Sequence, residues 1–213
     1  MSKIKIKNSK QKIADILLKI GCVNINFQNM FTLTSGKKSP VYVDCRKLIS
    51  FPKEREIVIN EMTKLIKTKY KKQIIIAGGE TAGIPYSSFI SHKLKLPMVY
   101  IRKQPKGFGK GKLIEGEFKQ KSTSILIEDM ATDGGSKLHF INSLRKNNLT
   151  VNDIYVVFFY NIYPAAEKNL NKMRVKLNYL ASWHDILDVS PNYISKKEQL
   201  KLEQYISSIE NGK

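Results

Sequence analysis

The stretch ILIEDMATDGGS, residues 125–136, passes from aliphatic residues into two adjacent acids and then into small and hydroxyl-bearing ones. Glu128 and Asp129 close an apolar run that reads as a strand. In a parallel sheet that run delivers its acids to the edge where ligands sit. Successive side chains on a strand diverge, so the two carboxylates do not suit a tight acid dyad. They suit a grip on neighbouring hydroxyls such as those of a ribose, directly or through Mg2+. The following Ala131, Thr132, Asp133, Gly134, Gly135 and Ser136 have the sizes and hydroxyls that let a backbone wrap a phosphate at a helix N-terminus. The same residues also make an ordinary strand-to-helix turn with Asp133 or Ser136 as the cap. Neither GxxxxGK[ST] nor GxGxxG fits this turn, which disfavours a Walker-type or dinucleotide loop.

A second chemical segment follows the strand PMVYIRK. Arg102 and Lys103 lead into residues 104–118, where Gly107, Gly109, Gly111 and Gly116 alternate with Lys106, Lys110 and Lys112. That composition describes a mobile cationic loop. His92, His139 and His184 lie far apart without metal-ligand spacing and are given no role. Trp183 reads as a core-edge residue.

These residues need a frame to position them. Ile13, Ile16, Leu17 and Ile20 recur at helical spacing, with Ser9 placed to cap the helix and Gly21 to stop it. FTLTSGKKSPVYVDCR reads as a short β-ribbon around Ser35-Gly36 that ends near Arg46. A helix over 53–69 precedes a buried strand, Ile74 to Ile76, broken at Gly78-Gly79. A helix over 84–94, strands near 97–103, 125–129, 154–160 and 177–182, and helices over 136–147 and 165–172 continue the alternation. SKKEQLKLEQYISSIE closes the chain as a surface helix. Strand and helix alternating in this way predict an α/β fold, a mainly parallel central sheet flanked by helices.

Length and composition bound the rest. The 213 residues are 42% hydrophobic and 26% charged, enough for one domain with a sizeable core. The net charge of +19 would attract nucleic acid, an acidic surface or a polyanionic substrate, but the lysines are scattered rather than clustered into a binding stripe. Cys22 and Cys45 form no CxxC pair, which fits a reducing, cytoplasmic setting. No apolar run approaches the ~20 residues needed to cross a bilayer, and no signal peptide is read at the N-terminus.

ILIEDMATDGGS resembles the phosphoribosyl-diphosphate signature of the type I phosphoribosyltransferases. FTLTSGKKSPVYVDCR, AGGETAGIP (77–85) and RKQPKGFGKGKLIEGE (102–117) narrow the resemblance to orotate phosphoribosyltransferase, and they occur in that family's order. The resemblance implies a single domain over 1–213, with 22–52 contributing to a small N-terminal hood and 104–118 a mobile lid. It implies Mg2+-dependent transfer of a phosphoribosyl group from phosphoribosyl diphosphate to orotate, giving orotidine 5′-monophosphate and pyrophosphate. Lys103, Lys106 and Asp129 would be catalytic. Phosphoribosyl diphosphate would meet Arg102, Lys103, Lys106 and the run Glu128 to Ser136, with Mg2+ held mainly through the substrate's phosphates and ribose. The lid lysine Lys103 would serve the partner subunit's site, which implies a homodimer. Cations there would stabilise charge growing on the leaving pyrophosphate, under a lid that excludes water.

The chain departs from familiar bacterial members at Thr34, Thr81-Ala82 and Phe108, where those carry Lys, Tyr-Lys and His, and YNIYPAA lacks their Arg. YVDCR resembles the eukaryotic YIDLR form, which makes Arg46 the expected cation for the orotate carboxylate, with Tyr42 and Thr132 beside the base; read on its own, the same Arg also suits a surface ion pair with Asp44 or Glu56. Two other functions compete: transfer to a purine or uracil base, and a regulator of the same fold that binds nucleic acid. The segments at 31–40 and 78–85 argue against the first, and an intact lid against the second. No membrane or nucleic-acid partner is expected.

Overall fold

A computed structural model describes residues 5–32, 36, 38–105 and 112–212. The chain opens with helix α1 (Ser9–Lys19), whose N-terminus is capped by Asn8 rather than Ser9: Asn8 Oδ1 accepts from the Gln11 N–H at 2.9 Å. Ser9 instead donates from Oγ to Glu61 Oε2 at 2.7 Å. Gly21 stops the helix as expected, with a φ of 70° that most side chains resist.

Strands β1 (Val23–Ile25), β2 (Phe31–Thr32), β3 (Lys38–Ser39) and β4 (Val41–Val43) form two small antiparallel ribbons, β1 with β4 and β2 with β3. Part of the expected turn, Ser35, lies outside the described residues. A 3-10 turn, Cys45–Ser50, leads into α2 (Pro52–Lys69).

The central sheet is built from β5 (Ile75–Gly79), β6 (Met98–Ile101), β7 (Ile114–Glu115), β8 (Thr123–Ala131), β9 (Thr150–Phe159) and β10 (Lys176–Ser182). Helices α3 (Gly83–Leu94), α4 (Leu138–Lys146), α5 (Ala165–Met173), α6 (Trp183–Val189) and α7 (Lys196–Glu210) complete the order. The strands lie β10-β9-β8-β5-β6-β7, all parallel except the edge strand β7. The expected α/β architecture is therefore present. No helix among the described residues is long and apolar enough to cross a membrane.

Alternation along the strands divides the core into two. Ile74, Ile76, Ile125 and Ile127 join one apolar cluster with residues of α1, α2, α3, α6 and α7, whereas Ile75, Ala77 and Leu126 join another with α4 and α5. Trp183 is fully enclosed in the first, edge-on to Phe158 and Tyr160.

Three boundaries differ from expectation. The strand β5 is not broken at Gly78-Gly79 but runs through both, because neighbours press onto its backbone there: a Cβ on Gly78 would stand 2.2 Å from Ser87 Oγ. The stretch 104–118 is not all loop, since β7 pairs its returning arm with β6, Ile101 opposite Ile114. Strand β8 extends to Ala131, so Glu128 and Asp129 lie just inside its end.

Candidate active site

Strand β5 connects on one side to β6 and neighbours β8 on the other, so the direction of winding reverses between β5 and β8. Crevices open at such switch points, beyond the carboxyl ends of the strands. A cleft of about 510 Å3 occurs there, lined by Arg46, Glu80, Thr81, Ala82, Lys103, Glu128, Asp129, Lys137, His139 and Phe140.

Backbone geometry brings Glu128 into it. A Cβ on Gly79 would stand 2.1 Å from Glu128 Oε1, and one on Gly83 would stand 2.5 Å from it and 2.4 Å from the Ile127 carbonyl. The glycines of AGGETAGIP thus make room for an acid contributed from the neighbouring strand. Glu128 and Asp129 are buried, with 5% and 8% of their surface exposed. Glu128 Oε2 accepts from Lys137 Nζ at 2.5 Å, while Oε1 is enclosed without a hydrogen-bond partner. Asp129 Oδ1 accepts from the Met130 N–H at 2.8 Å, which leaves Oδ2 as its acceptor for a ligand. Burial raises the pKa of both acids, opposed chiefly by the Lys137 ammonium.

The cationic wall begins at β6. The Lys103 N–H donates to Glu80 Oε2 at 2.7 Å, and the Lys103 side chain lines the cleft from an exposed position. Arg102 follows β6 directly, but its side chain does not line the cleft: its Nε turns to the Gln104 carbonyl at 3.3 Å. Lys106 lies outside the described residues, as do Thr34 and Phe108. Arg46 reaches the cleft while bound to Asp44, Nε to Oδ1 at 2.6 Å and Nη2 to Oδ2 at 3.1 Å, with 59% of its side chain exposed.

The loop after β8 turns at Gly134, φ 75°, and Asp133 Oδ1 accepts from the Gly135 N–H at 3.1 Å. Residues 135–137, including Ser136, form a 3-10 turn ahead of α4. Thr132 and Met130 face a separate pocket of about 310 Å3, walled by Tyr42, Tyr160, Tyr163 and Tyr205. Tyr42 also packs on Phe31, ring centres 5.7 Å apart. The structure therefore brings Arg46 together with the two acids, and Tyr42 together with Thr132, in adjoining cavities.

Sequence reasoning passed over three cleft residues. Glu80 sits inside AGGETAGIP, whose glycines draw the eye, and Lys137 stands just past the end of ILIEDMATDGGS. His139 Nε2 donates to the Arg102 carbonyl at 3.2 Å, a contact between distant segments that no local spacing announces. Among the described residues, no group of three His, Cys, Asp or Glu side chains could hold a metal.

Known proteins resemble this chain closely. An orotate phosphoribosyltransferase of Ruegeria sp. is 44% identical over 176 residues, 82% of this chain and 78% of that protein. Among solved structures, a UMP synthase of Leishmania donovani superposes with a TM-score of 0.78 at 28% identity, covering 94% of this chain and 43% of that one. An orotate phosphoribosyltransferase of Aeropyrum pernix gives 0.73 at 26% identity, covering 86% and 99%. No family model matches the chain.

Proposed function

The chain belongs to the orotate phosphoribosyltransferase family, and from that premise we propose how its cleft serves the reaction. The enzyme moves the phosphoribosyl group of phosphoribosyl diphosphate onto orotate in pyrimidine biosynthesis. The bond from ribose C1 to the diphosphate oxygen breaks as a bond from C1 to a ring nitrogen of orotate forms; that nitrogen gives up its proton to solvent or to the departing pyrophosphate.

The observation that carries the residue assignment is the acid pair at the end of β8, one strand from the Glu80–Ala82 wall and one turn before the 132–136 loop. Asp129 accepts from the ribose hydroxyls through Oδ2, with Glu128 beside it. The 132–136 loop, including Asp133, Gly134, Gly135 and Ser136, wraps the 5-phosphate with its backbone N–H groups. The diphosphate then extends toward Lys103, where Arg102 and Lys106 join it as the lid forms. Orotate occupies the tyrosine-walled pocket against Tyr42 and Thr132, with its carboxylate toward Arg46. While Asp44 holds Nε and one N–H of Nη2, Arg46 keeps both N–H groups of Nη1 and the second of Nη2, which can grip a carboxylate end-on through two bonds without leaving Asp44. Residues 22–52 serve as a hood over this end of the sheet.

The donor set fits a Mg2+ ion delivered with the substrate. In the described cleft Arg46, Lys103 and Lys137 face Glu80, Glu128 and Asp129, so the walls alone do not neutralise a diphosphate. Mg2+ binds one or two carboxylates together with substrate phosphates, and Asp129 and Glu80 offer the oxygens for it. Bound there, it would neutralise charge on the departing pyrophosphate. We place the enzyme in the cytoplasm.

Loss of orotate absorbance in the presence of phosphoribosyl diphosphate and Mg2+, run beside uracil, hypoxanthine and adenine, tests the base assignment. Turnover with orotate is expected; turnover with another base alone would overturn it. A shared lid predicts that inactive Lys103→Ala and Asp129→Asn subunits regain partial activity when mixed and allowed to exchange. Mixed dimers without recovery would confine Lys103 to its own chain's site.

A further inference from the structure

The C-terminal helix α7 turns one stripe inward, Leu202, Tyr205, Ile206 and Ile209, at the spacing of a single helical face. Leu202 and Ile206 lie in the same apolar cluster as Val41, Val43 and Tyr160, and a capping box of Ser195 and Glu198 fixes the start of the helix. Tyr205 is the polar member of the stripe. Its hydroxyl stands 3.1 Å from Ser39 Oγ, and both residues line the tyrosine-walled pocket with Tyr42 and Thr132. A phenylalanine would pack the stripe as well, so the hydroxyl is the feature that asks for a partner.

The neighbours of Ser39 decide which way that contact runs. Ser39 is 2% exposed, and its Oγ lies 2.7 Å from the Val41 carbonyl and 3.2 Å from the Val41 nitrogen. A carbonyl cannot donate, so the shorter contact takes the single serine proton. The Val41 N–H fills one lone pair of Oγ, and the Tyr205 O–H donates to the other. Ser39 is then saturated, and the Tyr205 oxygen is left with lone pairs alone. The hydroxyls of Tyr42, Tyr160 and Tyr163 make no hydrogen bond among the described residues, so their protons stay free. Thr132 reaches Asp133 Oδ1 only at 3.4 Å and can turn.

We propose that Tyr205 reads the base: its oxygen accepts a hydrogen bond from the ring N–H that lies between the two carbonyls of orotate, and Ser39 is the positioning residue that holds it as an acceptor. The inference rests on the placement of orotate in this pocket given above. Once orotate is joined to ribose, its carbonyls and its carboxylate only accept, and that N–H is the one donor the base retains. A fixed acceptor in the pocket therefore has one group of the base to meet, while the free tyrosine protons suit the oxygens. A base with a bare ring nitrogen at that place sets lone pair against lone pair and is refused. A site built to pair a polar group discriminates in this way because the mismatch leaves that group unpaired.

The experiment compares wild type, Tyr205→Phe and Tyr42→Leu. Calorimetric affinities for orotidine 5′-monophosphate and for ribose 5-phosphate are read with melting curves and the KM of each substrate. Inhibition by orotate methylated at the nitrogen between its carbonyls is measured beside them. Tyr205→Phe should melt near wild type, because Ser39 keeps both contacts with Val41. It should bind orotidine 5′-monophosphate about fivefold more weakly, with the KM for orotate raised in step. Its affinity for ribose 5-phosphate and its KM for phosphoribosyl diphosphate should stay within about twofold. Methylation should weaken inhibition of wild type at least ~3-fold more than inhibition of Tyr205→Phe.

Wild-type affinity for orotidine 5′-monophosphate in Tyr205→Phe would make the hydroxyl pair structural and overturn the proposal. An equal methylation penalty in the two proteins would put the ring N–H elsewhere and overturn it too. Tyr42→Leu separates this failure from that of the parent reading. If its affinity for orotidine 5′-monophosphate falls about tenfold while that of Tyr205→Phe holds, the base lies in the pocket and only the role of Tyr205 is lost. If neither variant moves, the placement of orotate there falls with it.

Discussion

Two lysine–carboxylate pairs, each at 2.5 Å, lie toward opposite ends of the same sheet and are built to different ends. In β9, Asp153 is fully buried and accepts from Lys69 Nζ, from the Tyr70 hydroxyl and from Asn178 Nδ2 at 3.1 Å. Burial pushes its pKa up, but these donors outweigh burial and hold it below the usual carboxylate range. In β8, Glu128 has a single partner, Lys137, and an orphaned oxygen, and burial wins, so its pKa rises. The first network is saturated by the protein itself. The second leaves polar capacity over, at the edge where the strands end and a ligand can enter. A short ion pair is therefore no measure of purpose; the satisfaction of the remaining lone pairs and protons separates architecture from chemistry.

Removing the saturated acid should produce the largest effect. Asp153→Ala strips three donors of their acceptor, two of them on partly buried groups, and should cost about 3 kcal/mol of stability. For a chain of this size that lowers the melting temperature by roughly 6–12 °C. Turnover per folded molecule should be unchanged. A loss of turnover without a loss of stability would erase the distinction between the two ends.

Asp129→Asn is the converse experiment. It replaces a carboxylate that burial already disfavours, so the melting temperature should hold or rise. Losing charge-assisted bonds to ribose hydroxyls should cost about 1.5–3 kcal/mol, or roughly one to two decades in affinity for phosphoribosyl diphosphate. Titration calorimetry with the folded variant measures this; unchanged affinity would remove Asp129 from the ribose contact.

Arg46→Ala probes the junction between the two cavities. Its exposed pair with Asp44 contributes only ~0–1 kcal/mol to stability, so melting should scarcely move. The KM for orotate should rise about tenfold, more than that for phosphoribosyl diphosphate, and Arg46→Lys should recover part of the loss. A selective rise for phosphoribosyl diphosphate instead would put Arg46 on the diphosphate side.

The smallest effect, and opposite in sign at the two ends, is the response to pH. Asp153, with its pKa depressed by folding, contributes stability above its unfolded value near ~4 and loses it as pH falls through the lower folded value. Glu128 and Asp129, with raised values, penalise the folded state while charged, and that penalty is relieved as pH falls from their folded values toward ~4. Each group changes stability by at most about 1.4 kcal/mol per pH unit. Melting curves across this range should show a shallower pH dependence above pH ~4 in Asp129→Asn than in wild type. In Asp153→Asn the change should fall below pH ~4.

The sequence by itself determined the α/β alternation, since the continuous apolar runs Ile74 to Ile76 and Ile125 to Ile127 and the 3.6-residue apolar stripe of α1 are local properties. It also marked the acids and the small-residue loop behind them, because those types are adjacent in the chain. Where a signal was ambiguous locally, the fold decided it. Gly78 and Gly79 could equally break a strand or admit a close neighbour, and only the approach of Ser87 and Glu128 makes them the latter. Asn8 rather than Ser9 caps α1 because Glu61, 52 residues away from Ser9, takes the serine hydroxyl. Likewise Lys137 reads as one more lysine in a chain of 37 Lys and Arg residues until the 3-10 turn after β8 folds it back onto Glu128. Periodicity is written along one dimension. Partnership between buried charges is fixed by which strands lie side by side and how far their ends reach, and only the assembled sheet specifies that.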